Sequence, residues 1–110
     1  MRAEADGAHE VLAGVLVLAA EFLWQTLCVR EKDAFAAGHV PGARHLPRGQ
    51  LELRVNEEFP DPTLRIVTYC EFGKISTLAA ATLRDLGFLR AAALDGGMKA
   101  WREAGLPLEG

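Results

Sequence analysis

Residues 67–83, VTYCEFGKISTLAAATL, join a β-branched run to a cysteine, a short loop holding one glycine, and an alanine-rich segment. The wider run LRIVTYC has the length and composition of a buried strand, and the breaker PDPT bounds it on the N-terminal side. Past the loop, a helical pattern from about Ser76 to Leu86 stops at Gly87, with Ser76 or Thr77 placed to cap its first amides. A strand that feeds a helix in this way is one unit of a parallel sheet, and in open sheets of that kind ligands sit at the carboxyl ends of the strands. Cys70 stands at such an end.

Working outward, the same alternation recurs. WQTLCVR, from Trp24, ends in a short apolar run suited to a strand, and EKDAFAAGH gives a helical turn or two closed by Gly38. VPGARHLP carries turn residues around a short extended piece, whereas residues 49–59, GQLELRVNEEF, fit neither helix nor strand decisively. FLRAAALD reads as a last strand, GG as a turn, and MKAWREAG as a closing helix with Gly105 past its end. Residues 1–8 read as a frayed end, and residues 9–23 are apolar on every side, so periodicity does not separate a buried helix from a helix followed by a strand.

At 110 residues the chain has the length of one domain, so any site must be built within it. A net charge of -3 shows no basic excess for a phosphate backbone, which argues against nucleic acid as a partner. Two cysteines are too few for a disulfide framework and no further ligands complete a zinc pattern around them, so a reducing, cytoplasmic setting is expected, without metal or organic cofactor. The apolar run Val11–Ala20 follows an acidic stretch where a secretory signal would be basic, and Gln25, Thr26 and Cys28 dilute its extension to Val29. It reads as core, with no membrane span. The acidic, proline-broken NEEFPDP reads as a surface loop.

A cysteine is a nucleophile only as its thiolate, so its surroundings must lower its pKa. The loop EFGKI offers backbone N–H groups curling around Gly73, the positive end of the helix starting near Ser76, and the ammonium of Lys74. Hydrogen bonds from Ser76 or Thr77 add to these. Glu71 acts in the opposite sense, because a carboxylate beside the sulfur disfavours a second negative charge. The same ring of amides binds anionic sulfur groups. The plainer reading is a small buried residue ending a strand, and on spacing alone both readings stand.

Three separated stretches then weigh in: CVREKDAFAAGHVPGA, IVTYCEFGKIS and LDGGMKAWREAGLP. In this order they resemble the first signature, the active-site strand and loop, and the C-terminal signature of the rhodanese (sulfurtransferase) family. The resemblance covers residues 24–110, as a single-domain version, and leaves residues 1–23 as a segment packed on the domain. It implies an α/β three-layer sandwich: a five-stranded, mostly parallel sheet with helices on both faces. Cys70 matches the family's catalytic cysteine, which takes sulfane sulfur from a donor (thiosulfate, polysulfide or persulfide) and passes it to a thiol, cyanide or a sulfur-carrier protein. Glu71, Phe72, Gly73, Lys74, Ile75 and Ser76 match the substrate-binding loop.

The related phosphatases use a longer loop with arginine at the sixth position after the cysteine, where this chain has Ser76. Without that guanidinium, phosphatase chemistry loses its main electrostatic support. Active sulfurtransferases commonly carry arginine one position earlier, where this chain has Ile75. That difference points away from thiosulfate toward a persulfide or polysulfide donor, and it keeps a non-catalytic binding or redox-sensing domain as the alternative. Cys28 stands where the family usually has aspartate, on a strand beside that of Cys70, which raises a Cys28–Cys70 disulfide as one role and an isolated buried thiol as the other. Arg30 is expected as a structural ion-pair partner and His39 as part of a structural turn. Met98 and Trp101 are expected in the core, and Asp95, Gly96 and Gly97 at the rim of the site.

Overall fold

A computed structural model describes residues 2–3, 9–11 and 24–110. Among these, the strands are β1 (Arg2–Ala3), β2 (His9–Val11), β3 (Trp24–Cys28), β4 (Arg44–His45), β5 (Arg65–Tyr69) and β6 (Ala92–Leu94), in the sheet order β1-β2-β6-β5-β3-β4. The helices are α1 (Lys32–Ala37), α2 (Leu51–Glu58), α3 (Lys74–Asp85) and α4 (Gly97–Glu103), with a 3-10 turn at Arg48–Gln50. All neighbouring strands are parallel except β1 against β2. The architecture is the expected α/β sandwich. It differs in strand count: four strands come from residues 24–94 and two short ones from the N-terminal segment, against an expected five.

Arg2–Ala3, expected to fray, pairs with β2, and β2 lies parallel to β6, so sheet pairing holds this part of the N-terminal segment. The apolar run read as core lies, beyond Val11, outside the described residues.

Period-two alternation along β3 and β5 sorts side chains into two cores. Leu27, Val29, Ile66 and Cys70 face the layer of α2 and α3, where Leu51, Val55, Ala79, Ala80 and Leu83 are fully buried. Cys28, Val67 and Tyr69 face the opposite layer with Met98 and Trp101 of α4 and, partly buried, Phe35 of α1. Burying each such large side chain stabilises by about 1.5–3 kcal/mol. The alanines of α3 let the helix approach β5 and β6 closely, and this contact fixes where its N-terminus points.

Two boundaries differ from the sequence reading. The ambiguous stretch 49–59 is mostly helix, with Leu51 and Val55 one turn apart on its buried face. Helix α3 begins at Lys74, not Ser76, with Gly73 (φ 101°) as its N-cap and no capping side chain. The hydroxyls of Ser76 and Thr77 instead donate back to the Gly73 carbonyl, at 3.2 and 2.6 Å.

Candidate active site

Because α3 starts so early, its first-turn amides converge on the sulfur that ends β5. The N–H groups of Gly73 and Ser76 donate to Cys70 Sγ at 3.1 and 3.4 Å, so the sulfur takes the place of the missing capping side chain. Cys70 Sγ also lies 3.5 Å from Ser76 Oγ, which accepts from the thiol and donates to the thiolate when its hydroxyl turns from the Gly73 carbonyl. One further bond steadies the frame: Thr68 Oγ1 donates to the Ser76 carbonyl at 2.8 Å, tying β5 to the first turn of α3.

Burial of Cys70 pushes its thiol pKa up. The Ser76 hydroxyl and the amides of Ser76, Gly73 and Phe72 together outweigh it, so the net shift is downward. Stability follows the same sign. The thiolate's contribution is fully present above the pKa of the unfolded thiol and is lost as pH falls through the lower folded value. Removing the hydroxyl with Ser76→Ala is expected to move the midpoint of the Cys70 alkylation profile to higher pH. A midpoint that stayed in place in iodoacetamide rate measurements across pH would show that the amides alone set it.

Glu71, expected to oppose the thiolate, has its carboxylate engaged elsewhere. Both of its oxygens are bonded by Arg102, and Arg30 Nη1 reaches Oε1 at 3.4 Å. Arg30 also donates from Nε to Cys28 Sγ at 3.2 Å and from Nη2 to the Gly38 carbonyl at 2.6 Å. The structural role expected for Arg30 therefore extends to the loop. Arg102 was not legible from sequence: it lies 31 residues from its partner, and only the packing of α4 brings them together.

The turn before α4 holds the loop from behind. Met98 N–H donates to the Cys70 carbonyl and Lys99 N–H to the Glu71 carbonyl, both at 2.9 Å. With the Glu71 carbonyl held away from the sulfur, the N–H at the other end of the same peptide, that of Phe72, turns toward it. Gly96 and Gly97, expected at the rim, instead lie against the back of the loop, Gly97 buried beside the Cys70 and Glu71 carbonyls and Gly96 beside Gly73.

Cys28 does not meet Cys70. It pairs in register with Tyr69, so its side chain shares the Tyr69 face, whereas Cys70, one residue on, faces the other layer. The disulfide reading gives way to a buried thiol held by Arg30. His39 stacks on Phe35 with centroids 3.8 Å apart, bonds the Phe35 carbonyl at 2.9 Å, and pairs with Glu109 at 3.6 Å, as a structural residue does. Lys74, Phe72 and Ile75 project outward at the mouth of the loop.

A parallel α/β sheet that delivers a buried cysteine into a ring of helix-end amides defines a cysteine-loop protein. The chain belongs to the rhodanese-like domain family, whose model matches residues 21–104. A thiosulfate sulfurtransferase, GlpE, of Pseudomonas putida is 40% identical over 75 residues, covering 67% of this chain and 66% of its own length. The putative sulfur carrier protein YrkF of Bacillus subtilis is 35% identical over 75 residues, covering 68% and 40%. This chain thus spans just under two thirds of the first relative and less than half of the second. Among solved structures, the human single-domain sulfurtransferase TSTD1 superposes with a TM-score of 0.75 at 25% identity, covering 86% of this chain and 95% of that one.

Proposed function

We propose that the protein is a sulfurtransferase that carries sulfane sulfur on Cys70. The observation that supports this most directly is the pair of amide bonds from Gly73 and Ser76 to a buried sulfur whose pKa is thereby lowered. The Cys70 thiolate attacks the outer sulfur of the donor, the donor's S–S bond breaks, and its electron pair leaves with the donor remnant. The resulting persulfide anion lies among the same amides, which stabilise its negative charge as they did the thiolate's. An acceptor thiolate or cyanide then attacks the terminal sulfur and releases Cys70. Arg30 and Arg102 offset the charge of the Glu71 carboxylate, and Cys28 serves as an accessory by accepting from Arg30. No metal or cofactor enters this cycle, and two unbridged thiols suit a reducing cytoplasm. No helix among the described residues is long and apolar enough to cross a membrane.

Intact mass of the reduced protein after exposure to cysteine persulfide or thiosulfate, then to an acceptor thiol, tests the cycle. The expected result is a gain of one sulfur atom on Cys70 that the acceptor removes. No adduct from either donor, with Cys70 still alkylatable, would assign the domain instead to binding or redox sensing.

A further inference from the structure

The mouth of the amide cradle carries exposed apolar side chains beside Lys74. Phe72 is 64% exposed, Ile75 51% and Leu78 64%, and Ile75 and Leu78 lie three apart on α3, on one face. Phe72 and Ile75 adjoin in sequence the two residues whose amides reach the sulfur. Residues 70–76 carry one cationic side chain, Lys74. The guanidinium groups nearest the loop are engaged: Arg102 with both Glu71 oxygens, and Arg30 with Glu71, Cys28 and the Gly38 carbonyl.

Resting on the sulfur-transfer reading above, we propose that Phe72 and Ile75 select, as the sulfur donor, an organic persulfide with an apolar substituent in preference to thiosulfate. The two donors place different demands on the mouth. From R–S–SH, the Cys70 thiolate takes the outer sulfur to give the Cys70 persulfide anion. The electron pair of the broken S–S bond stays on R–S, which takes up the proton released from the outer sulfur and departs as neutral R–SH. From thiosulfate, the same attack expels sulfite, a dianion that Lys74 alone among the loop's side chains would attract. A guanidinium fork would hold the sulfonate oxygens through two parallel bonds, which an ammonium does not offer. A hydrocarbon substituent instead removes the exposed faces of Phe72 and Ile75 from water and leaves as an uncharged thiol.

Rate constants for Cys70 persulfide formation, read by quenched intact mass and peptide mapping, test this on the full chain. The probes are benzyl persulfide released from a protected precursor, cysteine persulfide and thiosulfate. Benzyl persulfide is expected to react about tenfold faster than cysteine persulfide, a ratio typical of one apolar contact, and thiosulfate slowest. Phe72→Ala should reduce that ratio about fivefold. Ile75→Arg should raise the rate with thiosulfate relative to benzyl persulfide by roughly tenfold or more, through the added charge. Both side chains are more than half exposed, so neither change disturbs the core, and a thermal melt checks this. Equal or reversed donor preference in the native protein, or ratios that neither substitution moves, would overturn the inference while leaving sulfur transfer standing. Adducts from none of the three would overturn both.

Discussion

Cys70→Ser is expected to lower sulfur transfer by about 10³-fold or more, to background, while the melting temperature stays within a few degrees of the native value. Two properties of the site drive the first effect. Serine's hydroxyl is far less acidic than a thiol, so the amides of Gly73 and Ser76 that favour a thiolate have almost no alkoxide to stabilise at neutral pH. Oxygen also forms no stable bond to sulfane sulfur equivalent to the persulfide. The second effect follows because serine's oxygen accepts the same two N–H groups, leaving no buried donor unpaired. Intact mass and a transfer assay check the first outcome, and differential scanning calorimetry the second. The variant retains Cys28, which is fully buried on the opposite face of β3. Sulfur uptake that persisted and mapped to Cys28 would move the nucleophile to the other layer and sink the assignment of Cys70.

Much of this site was legible in sequence because its strand is short, apolar and β-branched, and because the breakers on either side leave little choice of boundary. LRIVTYC became β5 at Arg65–Tyr69, and EKDAFAAGH became α1 with Gly38 at its end. The family resemblance then placed the loop. What stayed hidden depends on information carried between elements. The parity of Cys28 against Cys70 is set by the β3–β5 register, which puts Cys28 opposite Tyr69. The start of α3 differs by two residues because serine and threonine are the usual capping signal, whereas here the sulfur of Cys70, three residues before the N-cap Gly73, accepts the amides. Residues 49–59 hid a helix because only Leu51 and Val55 are fully buried in it, while Leu53 is 80% exposed and blurs the period. The Glu71–Arg102 pair had no local signal at all.

Gly97→Ala is expected to cost about 2–4 kcal/mol, a fall in melting temperature of roughly 10–20 °C, and to disable the site as well. Gly97 has φ of 60°, and a Cβ there would lie 2.4 Å from the Cys70 carbonyl oxygen and 2.8 Å from that of Glu71. Both are backbone atoms of the sulfur loop, so no side-chain rotation relieves the clash. The α4 turn must withdraw, and the bonds from Met98 and Lys99 N–H to those two carbonyls stretch with it. Gly105 supplies the control: its φ is 70°, yet a Cβ there meets nothing within 4 Å. Gly105→Ala therefore carries only the left-handed strain, about 1–2 kcal/mol. Calorimetry on both variants separates strain from contact, and the pH profile of Cys70 alkylation reports the loop itself. Gly97→Ala should shift that profile to higher pH, since amides no longer held toward the sulfur no longer favour its thiolate; Gly105→Ala should leave it in place. Equal destabilisation in the two variants with an unmoved profile would mean that α3 alone orients the amides, and that the turn before α4 packs against a loop already set.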